Sequence, residues 1–444
     1  MTPTMPSLQL PPLFAALQLP LLLTTNILAL TIGPQHRLLQ LAFSLPIWTV
    51  LASQSLYRDY SGAWGMHYAV NCGVMSLAAT YVDWVVLMSP DREGWVKLSS
   101  RIGTVKGYAD GAEAAKNSES VVSDGLPKDD GGVVKSNGGL KGKSAVVDEN
   151  TAERTAPIGL RSRLWWAIRL ACTYRYTGWS CEVKNVPVEV DAGYPRWRFL
   201  LRKTLRAALF YLAKDAIFAY TASSPHGSWA DIASIKPAHS YTNYPFWHRF
   251  WFSSAHIVLT YVSLELYNTV AGVVSVALGL AKPSECPSAF GDLRGLWSVR
   301  RAWSNVWHQQ CRRICSAPGV LIVRDVLHLR KGSFASRYLQ LFIGFGISGL
   351  VHGGASMLYH RSFNDDGAMK VFLLQAAIIS VEDHLIDLGK RIGFKDSLFW
   401  RLVGLVWTVL AVGASMESWT GLLLEHGLWV HNRESDWFGI GPKM

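Results

Sequence analysis

Of the 444 residues, 50% are hydrophobic and only 17% are charged, against roughly 25% charged in an average soluble domain. The charge is also clustered, as a bilayer requires, because a charge at mid-membrane costs about 2.5 kcal/mol or more. The chain therefore reads as an all-α, polytopic integral membrane protein and not as a soluble domain, and its formal net charge of +11 suits a border with anionic lipid or an anionic cofactor. Six cysteines (Cys72, Cys172, Cys181, Cys286, Cys311, Cys315) make no CxxC pair and no Cys/His cluster with zinc-ligand spacing.

A span needs about 20 apolar residues. Taken in order, candidate spans fall at residues 10–32, 38–56 and 66–89. The first has no basic n-region before it and is too long for a signal peptide. Residues 101–160 are rich in Gly, Ser, Lys, Asp and Ala without an apolar period, so they read as a disordered loop. Residues 163–187 suit an interfacial or re-entrant helix. Further spans follow at 205–223 (interrupted by Lys214 and Asp215), 253–280, 338–359, 369–388 and 402–416, then a short apolar piece at 419–431. This gives about eight spans, with seven to ten as the range. It also gives three parts: N-terminal helices to residue 100, the 101–160 loop, and a core over 161–444.

Orientation follows from basic residues. The stretch 281–337 has ten Lys/Arg against three acids and is assigned to the cytosol. Counting spans places 90–162 and 389–401 on the same side and the N-terminus in the lumen.

The richest segment is Phe290–Pro318. On a helical wheel Leu296, Val299, Trp303, Val306, Gln310 and Ile314 share one face, widened by Trp307 and Cys311. Arg294, Ser298, Arg301, Asn305, His308 and Arg312 share the other. The spacing predicts one amphipathic helix. It suits either a basic helix on anionic lipid or a site where arginines hold phosphate and neutral donors polarise a carbonyl.

His352 lies inside an apolar span, about 21 Å from Tyr338 at 1.5 Å per residue. An ionisable group there is a functional hypothesis, with a satisfied core histidine as the alternative. Gly346, Gly349, Gly353 and Gly354 surround it; they read as helix packing and also as an opening for substrate. Glu382, Asp383, His384 and Asp387 form a third cluster, read as structural in preference to catalytic.

The run PSAFGDLRGLWSVRRAWSNVWHQ (287–309) resembles the signature of fungal wax-synthase-like membrane-bound O-acyltransferases. Pro287, Phe290, Gly291, Ser298, Arg300, Arg301, Trp303, Trp307, His308 and Gln309 match, whereas Ser288, Ala289 and Ala302 depart from it. RYTGWSCEVKNVP (175–187), SGLVHGG (348–354), FLLQAAIISVEDHL (372–385) and RLVGLVWTVL (401–410) resemble further family boxes in the same order. The likeness covers about 163–410.

The resemblance implies acyl transfer from acyl-CoA to a hydroxyl, with His352 as general base and His308 positioning the donor or stabilising the oxyanion. Asn305, Arg301, Trp303, Trp307, Gln309, Arg300 and Glu382 are the implied substrate contacts. No covalent intermediate, metal or bound cofactor is implied. Acyl-CoA is a co-substrate, acetyl-CoA first, and the acceptor is a lipophilic alcohol such as a terpenoid of secondary metabolism. Residence in the endoplasmic reticulum membrane is expected, with membrane lipid as surroundings and no nucleic-acid partner. Oligomeric state is not legible. A long-chain wax ester synthase is the rival within the family. A proton-coupled transporter is the rival outside it, although the halves show no internal repeat; a non-catalytic scaffold is a third class.

Overall fold

A computed structural model describes residues 9–58, 64–98, 159–229, 241–363, 365–431 and 436–439. The expectation of disorder at 101–160 falls almost wholly outside the described residues.

The architecture is helical. After a short turn at Pro12–Ala16 come α1 (Gln18–Ile32), α2 (Arg37–Tyr57) and α3 (Trp64–Tyr81), which runs on as a π-turn over Val82–Val86. Next are α4 (Leu160–Ala171), α5 (Arg196–Ala222) and α6 (Phe246–Ala277). The single turn α7 (Val299–Arg301) continues as a π-turn over Ala302–Val306, and α8 (Arg312–Val320) as another over Leu321–Val326. The long helices α9 (Phe334–His360), α10 (Ala368–Arg391) and α11 (Leu398–Glu425) complete the order. One small parallel pair, β1 (Ser228–Trp229) with β2 (Val430–His431), ties the end of α5 to the end of α11.

Among the described residues, four helical stretches are long and apolar enough to cross a membrane: His67–Val86, Phe246–Ala277, Phe334–His360 and Leu398–Glu425. Helix α11 shows why a bilayer is needed. Leu402, Val403, Leu405, Val406 and Val409 are all exposed on it, an apolar face that water would penalise and lipid would not.

Several sequence expectations change. The pieces predicted at 402–416 and 419–431 are mostly one helix, because no Pro, and no glycine with positive φ before Gly427, interrupts the run. Residues 163–187 are not one helix. The helix ends at Ala171, and Arg175 takes a left-handed backbone (φ 58°) in the loop that follows. The 205–223 span is the second half of the longer α5, whose charges have partners: Lys203 reaches Glu189 (2.7 Å), Arg206 reaches Glu265 (3.4 Å) and Asp215 meets His431 (3.4 Å). The stretch 281–337 holds α8, which starts inside the helix expected over Phe290–Pro318 and packs along α9, where Gly319 and Gly344 permit close approach.

The main core joins α3, α6, α9, α10 and α11 through Tyr68, Phe252, Leu259, Ala355, Phe372, Met416, Trp419 and Trp429, with Trp303 packed against them. A second core around Trp84, Trp95, Trp166, Tyr176 and Trp179 joins α1, α3 and α4. All six cysteines are free, and Cys315 packs by its Sγ 3.3 Å from Ser348 Oγ.

Candidate active site

The apolar helix α9 carries His352 into the main core. Its Nδ1 lies 3.0 Å from Tyr68 Oη and 3.7 Å from Cys72 Sγ, both on α3. Phe372 of α10 stacks on the imidazole (centroids 5.0 Å apart, planes at 14°), and Trp419 of α11 meets it edge-on at 5.2 Å. One face, one edge and one nitrogen are thus fixed by three different helices, which leaves Nε2 free of this hydrogen bond. The glycines nearby do not open a path. A Cβ on Gly349 would meet Met369 at 2.9 Å, one on Gly353 would meet Asp365 at 2.8 Å, and one on Gly354 would meet Met75 at 2.4 Å. They serve close packing, and the expectation of an opening beside His352 is corrected accordingly.

The single amphipathic helix expected over Phe290–Pro318 is also corrected. Residues 293–295 form a 3-10 turn, α7 starts only at Val299, and the chain turns extended at Trp307 (φ −62°, ψ 147°) before α8. Gln309 explains how the break is tolerated. Its Nε2 donates to the carbonyls of Trp303 (3.0 Å) and Trp307 (2.6 Å), and its Oε1 accepts from Arg312 (2.6 Å). One buried amide thus satisfies carbonyls that the helix no longer can. Upstream, Arg175 donates to three successive carbonyls, Pro287 (2.8 Å), Ser288 (2.7 Å) and Ala289 (3.2 Å). Gly291 donates its N–H to Val306 (2.9 Å), and a Cβ there would sit 2.0 Å from the Asn305 carbonyl oxygen. Only glycine fits.

The break aims Trp307 and His308 inward. Trp303 contacts Phe372 (6.1 Å) and Trp307 (5.7 Å), and its Nε1 donates to Gln375 (3.2 Å). His308 packs on Phe290 (5.8 Å) and Trp307 (5.7 Å), and its buried Nδ1 has no hydrogen-bond partner among the described residues. Burial, with the His352 imidazole and the Arg175 guanidinium nearby, pushes His308 down to about 3. It is a neutral imidazole at physiological pH, able to donate from one nitrogen and accept at the other.

Four sequence-predicted residues, His352, His308, Trp303 and Trp307, therefore share one aromatic cluster. Asn305 lies on the same π-turn, its Oδ1 accepting from Ser304 Oγ at 2.6 Å. Arg300, Arg301 and Glu382 lie elsewhere, and Glu382 is about 15 Å along α10 from Phe372 at 1.5 Å per residue. Glu382 caps α7: it accepts the N–H groups of Val299 (2.8 Å) and Arg300 (2.9 Å), and that of the Trp407 indole (3.0 Å). Asp383 takes the Arg300 guanidinium through both oxygens and is also reached by Arg337 (2.8 Å) and Tyr338 (3.1 Å). Arg301 differs. Its guanidinium covers the Trp297 ring at 4.6 Å, and its buried Nε has no hydrogen-bond partner among the described residues. Burial and the neighbouring Arg401 lower its pKa from the ordinary arginine value.

Sequence reasoning missed Tyr68, Phe372, Trp419 and His256. His256 packs edge-on against Trp419 at 6.4 Å from α6, with Nδ1 buried and unpartnered among the described residues. It carried the signal that marked His352, an ionisable group in an apolar run. The other three are aromatics among many, and nothing local distinguishes them.

Comparison with known proteins adds the chemistry. A family model described as "Membrane bound O-acyl transferase family" matches residues 286–374, which hold both His308 and His352. The chain is 45% identical to "Acetyltransferase sirH" of Leptosphaeria maculans over 97% of each chain. It is 31% identical to "Acetyltransferase ple2" of Rhodocybe pseudopiperita over 59% of this chain and 67% of that one. It is 26% identical to "O-Mevalon transferase macI" of Penicillium terrestre over 54% and 57% respectively. No solved structure matches.

Proposed function

The chain belongs to the membrane bound O-acyl transferase family and is a membrane-embedded acyltransferase; we propose that it moves an acetyl group from acetyl-CoA to a hydroxyl of a lipophilic acceptor, a terpenoid or related secondary metabolite. The carrying observation is that His352 and His308, from two separate parts of the chain, join one aromatic cluster through Phe372, Trp303 and Trp307.

In this reading Tyr68 accepts the Nδ1–H of His352, so the unprotonated Nε2 is the base. Nε2 takes the acceptor's hydroxyl proton as the oxygen bonds to the thioester carbonyl carbon. The carbonyl π electrons move to oxygen, and a donor such as neutral His308 steadies that oxyanion. Collapse breaks the C–S bond, the leaving thiolate takes the proton back from the His352 imidazolium and departs as CoA, and the ester remains. The aromatic walls exclude water, which would otherwise compete as acceptor. Arg301, a guanidinium without an acidic hydrogen-bond partner among the described residues, suits the donor's phosphates.

We further infer about eight spans, residence in the endoplasmic reticulum membrane and a lumenal N-terminus, on the basic-residue bias of 281–337. The test is ester formation by microsomes given acetyl-CoA or palmitoyl-CoA with hydroxylated terpenoids and fatty alcohols, read as free CoA and new ester by mass spectrometry. His352→Ala should lower the rate about 10²–10⁴-fold. Equal ester from wild type and variant would remove His352 from catalysis, and a preference for palmitoyl-CoA would favour wax synthesis.

A further inference from the structure

Two buried ring nitrogens beside His352 have no task in the acyl transfer described above. Trp419, which meets the imidazole edge-on at 5.2 Å, is only 6% exposed, and its Nε1 has no hydrogen-bond partner among the described residues. His256 of α6 meets the same indole at 6.4 Å, and its buried Nδ1 is likewise without a partner among them. We propose that Trp419 Nε1 and His256 Nδ1 form a polar subsite for a second oxygen atom of the acceptor. The acceptor class is then a lipophilic alcohol bearing a further hydroxyl or carbonyl, and not a plain fatty alcohol. This rests on His352 being the base of an acyl transfer.

A buried polar atom left unmet is costly, and native cores keep few of them. Polar groups close by on the same two helices do find partners. Ser253, one turn before His256, donates to the Gly413 carbonyl of α11 at 3.0 Å. Ser415, one turn before Trp419, accepts from the Gln375 amide at 2.7 Å. The two ring nitrogens receive no such partner, although they belong to rings in contact with one another and one of those rings touches the base.

Their chemistry selects the guest. An indole N–H can only donate, whereas an imidazole Nδ1 donates in one tautomer and accepts in the other. A hydroxyl suits both, because its lone pair takes an N–H and its own proton goes to an unprotonated nitrogen. A carbonyl oxygen suits two donors. A hydrocarbon chain suits neither and leaves both nitrogens unmet, which is how a site built for a polar group rejects an analogue that lacks it.

The position assigns the subsite to the acceptor and not to the donor. His308 and Arg301, the groups read as serving acyl-CoA, lie in the segment between Ser298 and Gln309. His256 and Trp419 come instead from α6 and α11, two of the helices apolar enough to cross a membrane. A guest lodged between those helices is one that partitions into lipid, and the polyanionic CoA moiety does not. The two sides meet at Phe372, which touches Trp303 (6.1 Å) and Trp419 (5.6 Å).

The experiment gives the full chain acetyl-CoA with matched acceptors: menthol against a menthane diol, and a fatty alcohol against the keto-alcohol of the same length. Wild type should favour the oxygenated member in kcat/KM by about tenfold or more. Trp419→Phe removes the N–H, and His256→Phe keeps a ring but offers no nitrogen. In each the preference should shrink toward unity. The readout is a ratio of two acceptors on one enzyme, so a general loss of rate from a displaced imidazole cancels. His256→Phe preserves the packing against the indole and carries the test if Trp419→Phe does not fold. A wild type that uses both members of each pair equally would overturn the subsite and leave acyl transfer standing. Variants that keep the wild-type preference would overturn it as well, and a raised KM for acetyl-CoA in those variants would hand the two nitrogens to the donor. No CoA release with any acceptor would remove the acyl-transfer reading and the subsite together.

Discussion

Tyr68 Oη and His352 Nδ1 lie 3.0 Å apart across 284 residues of sequence. The contact engages Nδ1 and leaves Nε2 outside this hydrogen bond, the nitrogen proposed above as the base. Tyr68→Phe removes one hydrogen bond, worth about 0.5–1.5 kcal/mol net, and lets the ring tautomerise. We expect kcat to fall about 3–10-fold with KM for acyl-CoA little changed, measured by CoA release. A change confined to KM would place Tyr68 among substrate contacts instead.

The neutral state of His308 has a stability signature. An unfolded histidine takes its proton near 6.5, whereas native His308 resists protonation down to about 3. Between those values the unfolded chain binds more protons. Stability therefore rises with pH across that window and is lost as pH falls from 6.5 toward 3. His308→Gln cannot titrate, so its Tm in detergent should fall less than wild type's on acidification from about pH 7 to about pH 5. Parallel Tm curves would show that His308 does not set the slope.

Glu382 separates a structural from a substrate role. Glu382→Ala leaves three N–H groups without their acceptor, and each buried unmet donor costs about 1–3 kcal/mol. A large drop in Tm is expected, with KM for acyl-CoA in the folded fraction close to wild type. A normal Tm with a raised KM would return Glu382 to the substrate contacts.

Gly291→Ala should destabilise by about 1–3 kcal/mol, the usual range for overpacking, because its Cβ meets backbone and not a yielding side chain. Thermal unfolding in detergent and the fraction recovered as monodisperse protein would measure this. An unaffected variant would mean that the 287–291 segment can move away from the π-turn.

Helix positions were largely legible because hydropathy is a local property; α6, α9, α10 and the first three helices all fall where apolar runs predict them. What failed was periodicity across Phe290–Pro318. A wheel assumes unbroken 3.6-residue turns, and the break at Trp307 depends on Gln309 and Arg312 folding back onto the freed carbonyls. That compensation is tertiary and leaves no mark in the pattern. The same limit applies to Arg300 and Glu382. Their residue types suit phosphate and proton chemistry, but only coordinates show that Arg300 faces Asp383 and that Glu382 faces the start of α7. His352 stood out because its isolation in an apolar run is itself the signal, whereas Phe372 and Trp419 become visible only as its neighbours.

The π-turn over Ala302–Val306 has a consequence for insertions and deletions. Such a turn holds one residue more than an α-turn of the same rise, so deleting Ser304 would let the segment relax into a regular helix without breaking the chain. Because the extra residue is what the wide turn absorbs, the chain beyond it would keep its register. Trp307 and His308 would stay with the aromatic cluster. A single lost codon at that point would thus be less damaging than one lost from a regular helix such as α9, where everything beyond would rotate by about 100°.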